Sequence, residues 1–265
     1  MPDLLGALRA RLTELDRVVV AFSGGADSAF LAWVANDTLG PERALAVTAI
    51  SPSLAPEEEG ECRALADEWT LRWTPVFTDE LADPAYAAND GDRCFHCKTA
   101  LLDVTEPLAR AEGATVVLGV NVDDLGDHRP GQRAAAERGS AFPLVDAGFT
   151  KADVRSCSRE LGLRTWDKPA AACLSSRVPY GTPVTVSILS NVGRAESALR
   201  RLGFRQLRVR HYGDTARIEL EGPDLLRAVE ERNAVVEAVR SAGYRYVTLD
   251  LEGFRSGNLN GALSP

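Results

Sequence analysis

The chain has 265 residues, and its 30 Lys and Arg against 38 Asp and Glu give a formal charge of −8. Its 45% hydrophobic and 26% charged residues are globular proportions, which exclude a disordered or collagen-like chain and supply enough apolar material for a sizeable core. The acidic balance argues against a broad nucleic-acid-binding surface, which needs basic charge, and the length admits one large domain or two smaller ones. Five cysteines are an odd set too sparse for a disulfide scaffold, which points to a reducing compartment.

Residues 1–16 alternate charged and apolar residues at helical spacing, with no uninterrupted apolar stretch of the signal-peptide kind. No run approaches 18 apolar residues, so no membrane span is expected and a cytoplasmic protein is predicted. Strand-like, β-branched runs follow at 17–22 (RVVVAF), 44–50 (ALAVTAI) and 115–120 (TVVLGV), with a weaker one at 72–77. Amphipathic stretches at 26–36, 56–69 and 98–112 separate them. This alternation predicts βαβ units on a parallel sheet, a Rossmann-like α/β domain over residues 1–170. Ligands in such sheets bind outside the carboxyl ends of the strands.

Residues 166–183 are rich in Ala, Ser, Pro and Gly without a clear period and read as a loop or linker, so a connector is placed at 171–183. A long helix is expected at 184–202. Two strands follow around Gly213-Asp214, the two-residue hairpin signal, then a second helix at 223–242 and a last strand at 244–249. These make a small α+β domain over 184–265.

Ser23-Gly24-Gly25-Ala26-Asp27-Ser28 directly follows the first strand and opens a helix. The glycines let the backbone turn tightly and approach an anion, while the N–H groups and dipole of a helix start favour phosphate. Ser23 and Ser28 add hydroxyl donors, and Asp27 can hold a magnesium ion against the phosphates. The same letters suit an ordinary N-cap turn; the strand before and the helix after favour phosphate. The string resembles the pyrophosphatase loop of the ATP-pyrophosphatase, or PP-loop, superfamily. Its members cleave ATP between the α- and β-phosphates and adenylate a carbonyl or carboxylate oxygen. They include NAD and GMP synthetases and tRNA-thiolating enzymes, so the loop fixes the activation step and not the substrate.

Cys62 and Cys157 each fall in line with the apolar residues of a helix and read as core fillers. Cys94 and Cys97 form a C-x-x-C at the start of a helix, between Arg93 and Lys98, where dipole and cations lower thiol pKa. Such a pair is redox-active, binds zinc or holds part of an iron–sulfur cluster. Cys173 lies in the aperiodic connector among small residues, with Lys168 and Arg177 as cations able to stabilise a thiolate. Three thiolates can hold three corners of a four-iron cluster and leave one iron open. The same three with His96 could bind zinc, and a metal-free arrangement is the third reading.

In the strand 206–211 (QLRVRH), Arg208 and Arg210 share one face. A two-residue turn at Gly213-Asp214 sets Arg208 opposite Glu219 and Arg210 opposite Arg217, and like charges directly opposite are destabilising. An anionic ligand would relieve that conflict. Glu196, close to the apolar stripe of the preceding helix, needs a cationic partner.

Several strings together resemble one family, the LarE-type ATP-dependent sulfur transferases that build the nickel-pincer cofactor of lactate racemase. They are SGGADS (23–28), DRCFHCK (92–98), GVNVDDLGDHRPG (119–131), WDKPAAACLSSRVPYG (166–181), RVRHYGDTARIE (208–219) and VTLDLEGFRSGNLN (247–260). The resemblance implies ATP-dependent adenylation of the carboxylates of pyridinium-3,5-biscarboxylic acid mononucleotide and their conversion to thiocarboxylates. Family members draw sulfur in one of two ways. A single cysteine at the position of Cys173 gives up its own sulfur, or three cysteines at Cys94, Cys97 and Cys173 hold a [4Fe-4S] cluster carrying an extra sulfide. This chain has all three and resembles the cluster type. The resemblance further implies Arg208 and Arg210 at the substrate phosphate, Glu196 beside a metal or phosphate there, and a homohexamer. Ser23, Gly24, Gly25, Asp27 and Ser28 are expected on the ATP phosphates, with Asp27 on Mg2+. Asp124, Asp127 and Arg129 are expected in the same crevice, and the backbone from Ala49 to Ser51 beside the adenine. The competing readings are a PP-loop enzyme of tRNA thiolation or amide formation, and a non-catalytic sensor of ATP or redox state.

Overall fold

The computed structural model describes residues 3–126, 130–169 and 172–255. In chain order its elements begin with α1 (Leu4–Leu15), β1 (Val18–Ala21), α2 (Ala26–Leu39), β2 (Ala44–Ile50), α3 (Pro56–Glu68) and β3 (Arg72–Phe77). Next come α4 (Pro84–Ala87), α5 (Arg93–Glu112), β4 (Thr115–Leu118), α6 (Pro130–Glu137), α7 (Pro143–Asp146) and α8 (Lys151–Glu160). The remainder are α9 (Val186–Arg201), β5 (Leu207–Tyr212), β6 (Thr215–Leu220), α10 (Gly222–Glu230), α11 (Arg232–Ser241) and β7 (Tyr246–Leu249).

β1 to β4 form the expected parallel sheet in the order β3-β2-β1-β4. Its β-branched runs are buried on both faces, which is why they are continuous rather than alternating. Val18 and Val20 pack with Leu8, Leu12, Phe30, Leu31 and Val154 on one side. Val19 packs with Leu102, Ala109 and Val116 on the other. Each such side chain contributes about 1.5–3 kcal/mol when fully buried. The chain steps outward from β1 to β2 and β3, then returns to place β4 on the far side of β1. That reversal opens a crevice at the carboxyl end of β1, where the Ser23–Ser28 turn sits.

Two helices that frame this crevice have clear local causes. α2 ends at Gly40, whose φ of 79° suits a residue without a Cβ. α8 starts with a reciprocal capping box, in which Thr150 Oγ1 accepts from Asp153 N and Asp153 accepts from Thr150 N.

The chain divides into two compact units. One comprises Met1–Ser51, Glu58–Glu80 and Cys94–Ala171; the other comprises Pro52–Glu57, Leu81–Arg93 and Ala172–Pro265. The sequence reading assigned 52–57 and 81–93 to the first domain, whereas their bonds run to the later stretch. Ser53 O accepts from Leu174 N (2.8 Å), Asn89 O from Gly181 N (3.0 Å) and Ala87 O from Val184 N (2.8 Å).

In the second unit, α9 is capped by Thr185 Oγ1, which accepts from Ile188 N. Leu189, Val192 and Leu199 of α9 form a core with Leu207, Val209, Ile218, Val235 and Val239. β5 and β6 pair antiparallel in the expected register, Arg208 opposite Glu219 and Arg210 opposite Arg217, and β7 adds parallel to β6. The single helix expected over 223–242 is two, α10 and α11, divided at Glu231, whose ψ of 18° leaves the helical range. Among the described residues no helix is long and apolar enough to cross a membrane.

Candidate active site

The turn after β1 is closed by its own serines. Ser23 N–H donates to Ser28 Oγ (3.2 Å), the two hydroxyls lie 3.0 Å apart, and Ser28 Oγ donates to Gly25 O (3.2 Å). Gly24 has a φ of 68°, the left-handed region that glycine enters without a Cβ clash. Gly25 is the N-cap of α2, and no side chain caps that helix. Its first N–H groups, which lack intrahelical acceptors, are left to face an anion.

Asp27 sits in the first turn of α2 and accepts from Asn121 Nδ2 at 3.2 Å. Burial pushes its carboxyl above the usual range, against the pull of Lys151, Asn121 and Arg155, while Asp124 adds to the rise. Asp124 is buried just beyond β4, with Oδ2 accepting from Asn121 N at 3.3 Å. A divalent cation bridging these carboxylates would offset both burial and mutual repulsion, so the donor set suits Mg2+. The other two residues expected here, Asp127 and Arg129, lie outside the described residues. Ala49 is the penultimate residue of β2, and Ser51 Oγ donates to the buried Glu80 at 2.6 Å.

Three participants escaped the sequence reading. Lys168 Nζ holds Gly24 O at 3.1 Å and Glu58 at 2.7 Å; the sequence offered it only as a neighbour of Cys173. Asn121 orients Asp27. Gly119 is required by close approach, because a Cβ there would lie 2.8 Å from Ser28 N and 2.9 Å from Ser28 Cα. A glycine immediately after an apolar strand was the available signal.

Of the two cysteines expected as core fillers, Cys62 is buried, whereas Cys157 is half-buried like Cys97 and Cys173. Cys62 is buried in the main core, and burial pushes its thiol up to about 11. Cys157 packs at the same core's margin, and burial raises its thiol too. Cys94 is exposed and Cys97 half-buried; both lie in the first turns of α5, three apart and so on one face. Cys173 is half-buried and precedes a 3-10 turn, Leu174–Arg177. Arg177 does not spend its donors on that thiol. They go to Glu196 and to the carbonyls of Ala172 and Cys173. Among the described residues no three His, Cys, Asp or Glu side chains converge to hold a metal ion.

In the second unit, Glu196 is 0% exposed and Arg177 3%. Arg177 is the cation that Glu196 needed, at 2.8 and 3.0 Å, with Arg200 Nη2 and Val209 N each adding a bond at 3.0 Å. Burial alone would raise the Glu196 carboxyl, but Arg177, the Val209 N–H and Arg200 together hold it below the usual range. The Arg210–Arg217 juxtaposition has an internal counter-charge. The buried Glu219 accepts from Arg210 at 2.8 Å and from Arg217 at 3.0 Å. Arg208 is different. Burial, then the nearby Arg177, push its guanidinium down to about 10 even with Glu196 pulling it back. Among the described residues, the buried Arg210 Nε has no hydrogen-bond partner.

A parallel sheet whose first strand opens on this glycine-rich loop and the uncapped start of α2 is the architecture of a PP-loop ATP pyrophosphatase. Consistently, residues 7–88 match the family described as NAD synthase. The chain is 40% identical over 258 residues to pyridinium-3,5-bisthiocarboxylic acid mononucleotide synthase of Lactiplantibacillus plantarum, covering 97% of this chain and 94% of that one. It is also 48% identical to an uncharacterised Synechocystis protein, over 97% of both chains, and 26% identical to one from Methanocaldococcus jannaschii, over 91% of both. The chain belongs to the LarE-type family of ATP-dependent sulfur transferases.

Proposed function

We propose that this chain adenylates the carboxylates of pyridinium-3,5-biscarboxylic acid mononucleotide and converts them to thiocarboxylates. The observation that carries this reading is the Ser23–Ser28 loop with Asp27 at the head of α2, in a chain matched end to end by a synthase of the bisthiocarboxylic acid mononucleotide. A substrate carboxylate oxygen attacks the α-phosphorus of ATP and the bond to the β-phosphate breaks. Ser23, Gly24, Gly25 and Ser28 orient the departing pyrophosphate through N–H and hydroxyl donors, and Asp27 would hold Mg2+, which would offset the charge that develops on the leaving group. A sulfur nucleophile then attacks the acyl carbon and AMP leaves.

The substrate's own phosphate falls to Arg208 and Arg210. The two share one face of β5, and an anion there would give the buried Arg210 Nε an acceptor. Glu196, paired with Arg177 and Arg200, lies beside this strand through its bond from Val209 N. For sulfur, the family resemblance assigns Cys94, Cys97 and Cys173, all thiols and none sealed in a core, as the residues that would hold a [4Fe-4S] cluster. Such a cluster, when bound, supplies an iron-held sulfide as the soft nucleophile. A homohexamer, implied by the family resemblance, and a cytoplasmic setting, expected from composition, complete the reading.

Pyrophosphate release that depends on the pyridinium mononucleotide, with a product mass showing oxygen exchanged for sulfur, is the expected result. Anaerobic protein should contain iron and acid-labile sulfide, both lost in Cys94→Ala, Cys97→Ala or Cys173→Ala. Colourless protein with stoichiometric zinc, or Cys173 recovered as dehydroalanine, overturns the cluster. A deletion strain that loses a thiolated tRNA base overturns the substrate.

A further inference from the structure

The pyrophosphatase loop has a support behind it that its motif does not contain. Lys168 Nζ donates to the Gly24 carbonyl at 3.1 Å and to Glu58 at 2.7 Å. Lys168 is 17% exposed, so this ammonium is largely withdrawn from water and committed to two acceptors. The turn carrying Lys168 is itself fastened from α8. Arg155 donates to the carbonyls of Trp166 (3.1 Å) and Lys168 (3.0 Å), and Arg159 lies 5.1 Å over the Trp166 ring.

The support falls at the softest point of the loop. Gly24 and Gly25 are adjacent, and Gly24 is already left-handed, so rotating the peptide between them meets little steric resistance. In a trans peptide the C=O and N–H point in opposite directions. Whatever fixes the Gly24 oxygen therefore fixes the Gly25 N–H on the other side. An ammonium on that oxygen also polarises the amide and strengthens its N–H as a donor.

We propose that Lys168 is a positioning residue for ATP: its ammonium, kept in place by Glu58, fixes the Gly24–Gly25 peptide so that the Gly25 N–H faces the β- and γ-phosphates. The inference rests on the loop's role in binding ATP. It assigns a working part to a residue outside the motif, and one that bonds to no phosphate itself.

The test is calorimetry on the full chain with Mg2+ and two probes. One is α,β-methylene-ATP, which keeps all three phosphates and cannot be cleaved between the first two; the other is AMP, which lacks the β- and γ-phosphates. Lys168→Met should weaken the methylene analogue about tenfold, or about 1.4 kcal/mol, and leave AMP within about twofold. Lys168→Arg, whose guanidinium can still donate to a carbonyl, should restore most of the loss. Equal weakening of both probes, or no weakening of either, overturns the proposal, as does a Lys168→Arg variant no better than Lys168→Met. A wild-type chain that fails to bind the analogue overturns the ATP role of the loop and this inference together.

Discussion

Asp27 and Glu196 are carboxylates with opposite histories, and their pH dependence separates them. Burial raises Asp27, so folding favours its protonated form more than water does, and its contribution to stability falls as pH rises through the raised value. At neutral pH the ionised group thus subtracts from folding stability. Asp27→Asn should therefore abolish Mg2+-dependent pyrophosphate release while raising the Tm of ligand-free protein by about 1–3 °C; a lowered Tm in differential scanning calorimetry would contradict this. Glu196 is held low, so it contributes stability above the unfolded value of about 4.3 that is lost as pH falls through the folded one. Glu196→Gln leaves Arg177 buried without its counter-charge and should cost about 3 kcal/mol or more at pH 7. In urea titrations that deficit should shrink in acid. At this scale the sequence revealed local needs: a cation for Glu196, and the facing of Arg208 and Arg210. It concealed suppliers from afar, since Lys168 and Asn121 stand 144 and 94 residues from their loop partners.

Among the elements, the meeting of β4 with α2 governs the geometry of the site. A Cβ at Gly119 would press on backbone atoms of Ser28, which cannot swing aside as a flexible side chain can. Gly119→Ala should displace the first turn of α2, cost about 1–3 kcal/mol and weaken α,β-methylene-ATP. At Gly25 a Cβ meets only Ser23 Oγ, at 3.6 Å, and Gly25→Ala should leave the urea midpoint nearly unchanged. Equal losses from the two would show that the close approach is not what matters. The strands were legible because burial on both faces demands unbroken β-branched runs. The division of 223–242 was not. Ala228, Val235 and Val239, buried on α10 and α11, keep helical spacing across it, and neither Pro nor Gly marks Glu231.

On the scale of the whole molecule, the second unit is assembled from three stretches of chain. Tyr86 OH lies 2.6 Å from Ser175 Oγ and 2.7 Å from Ser53 Oγ. Asn89 donates through Nδ2 to the carbonyls of Val178, Pro179 and Thr182 and accepts from Arg93, which also holds Ser175 O. Composition could place the boundary before 184 but could not show that a segment near 86 belongs beyond it. Residues 172–265 expressed alone, without these partners, should lack dispersed amide resonances; a well-dispersed spectrum would show the borrowed segments to be dispensable. The same arrangement sets a schedule for synthesis. Asn89 precedes Val178 by 89 residues, so at about 5–20 residues per second roughly 4–18 s pass between them on the ribosome. For that interval Tyr86 and Asn89 emerge with their final partners not yet made. The stretches 52–57 and 81–93 are thus parts of the nascent chain that need shelter, Ser53 for longer than Asn89, and slow translation lengthens their exposure.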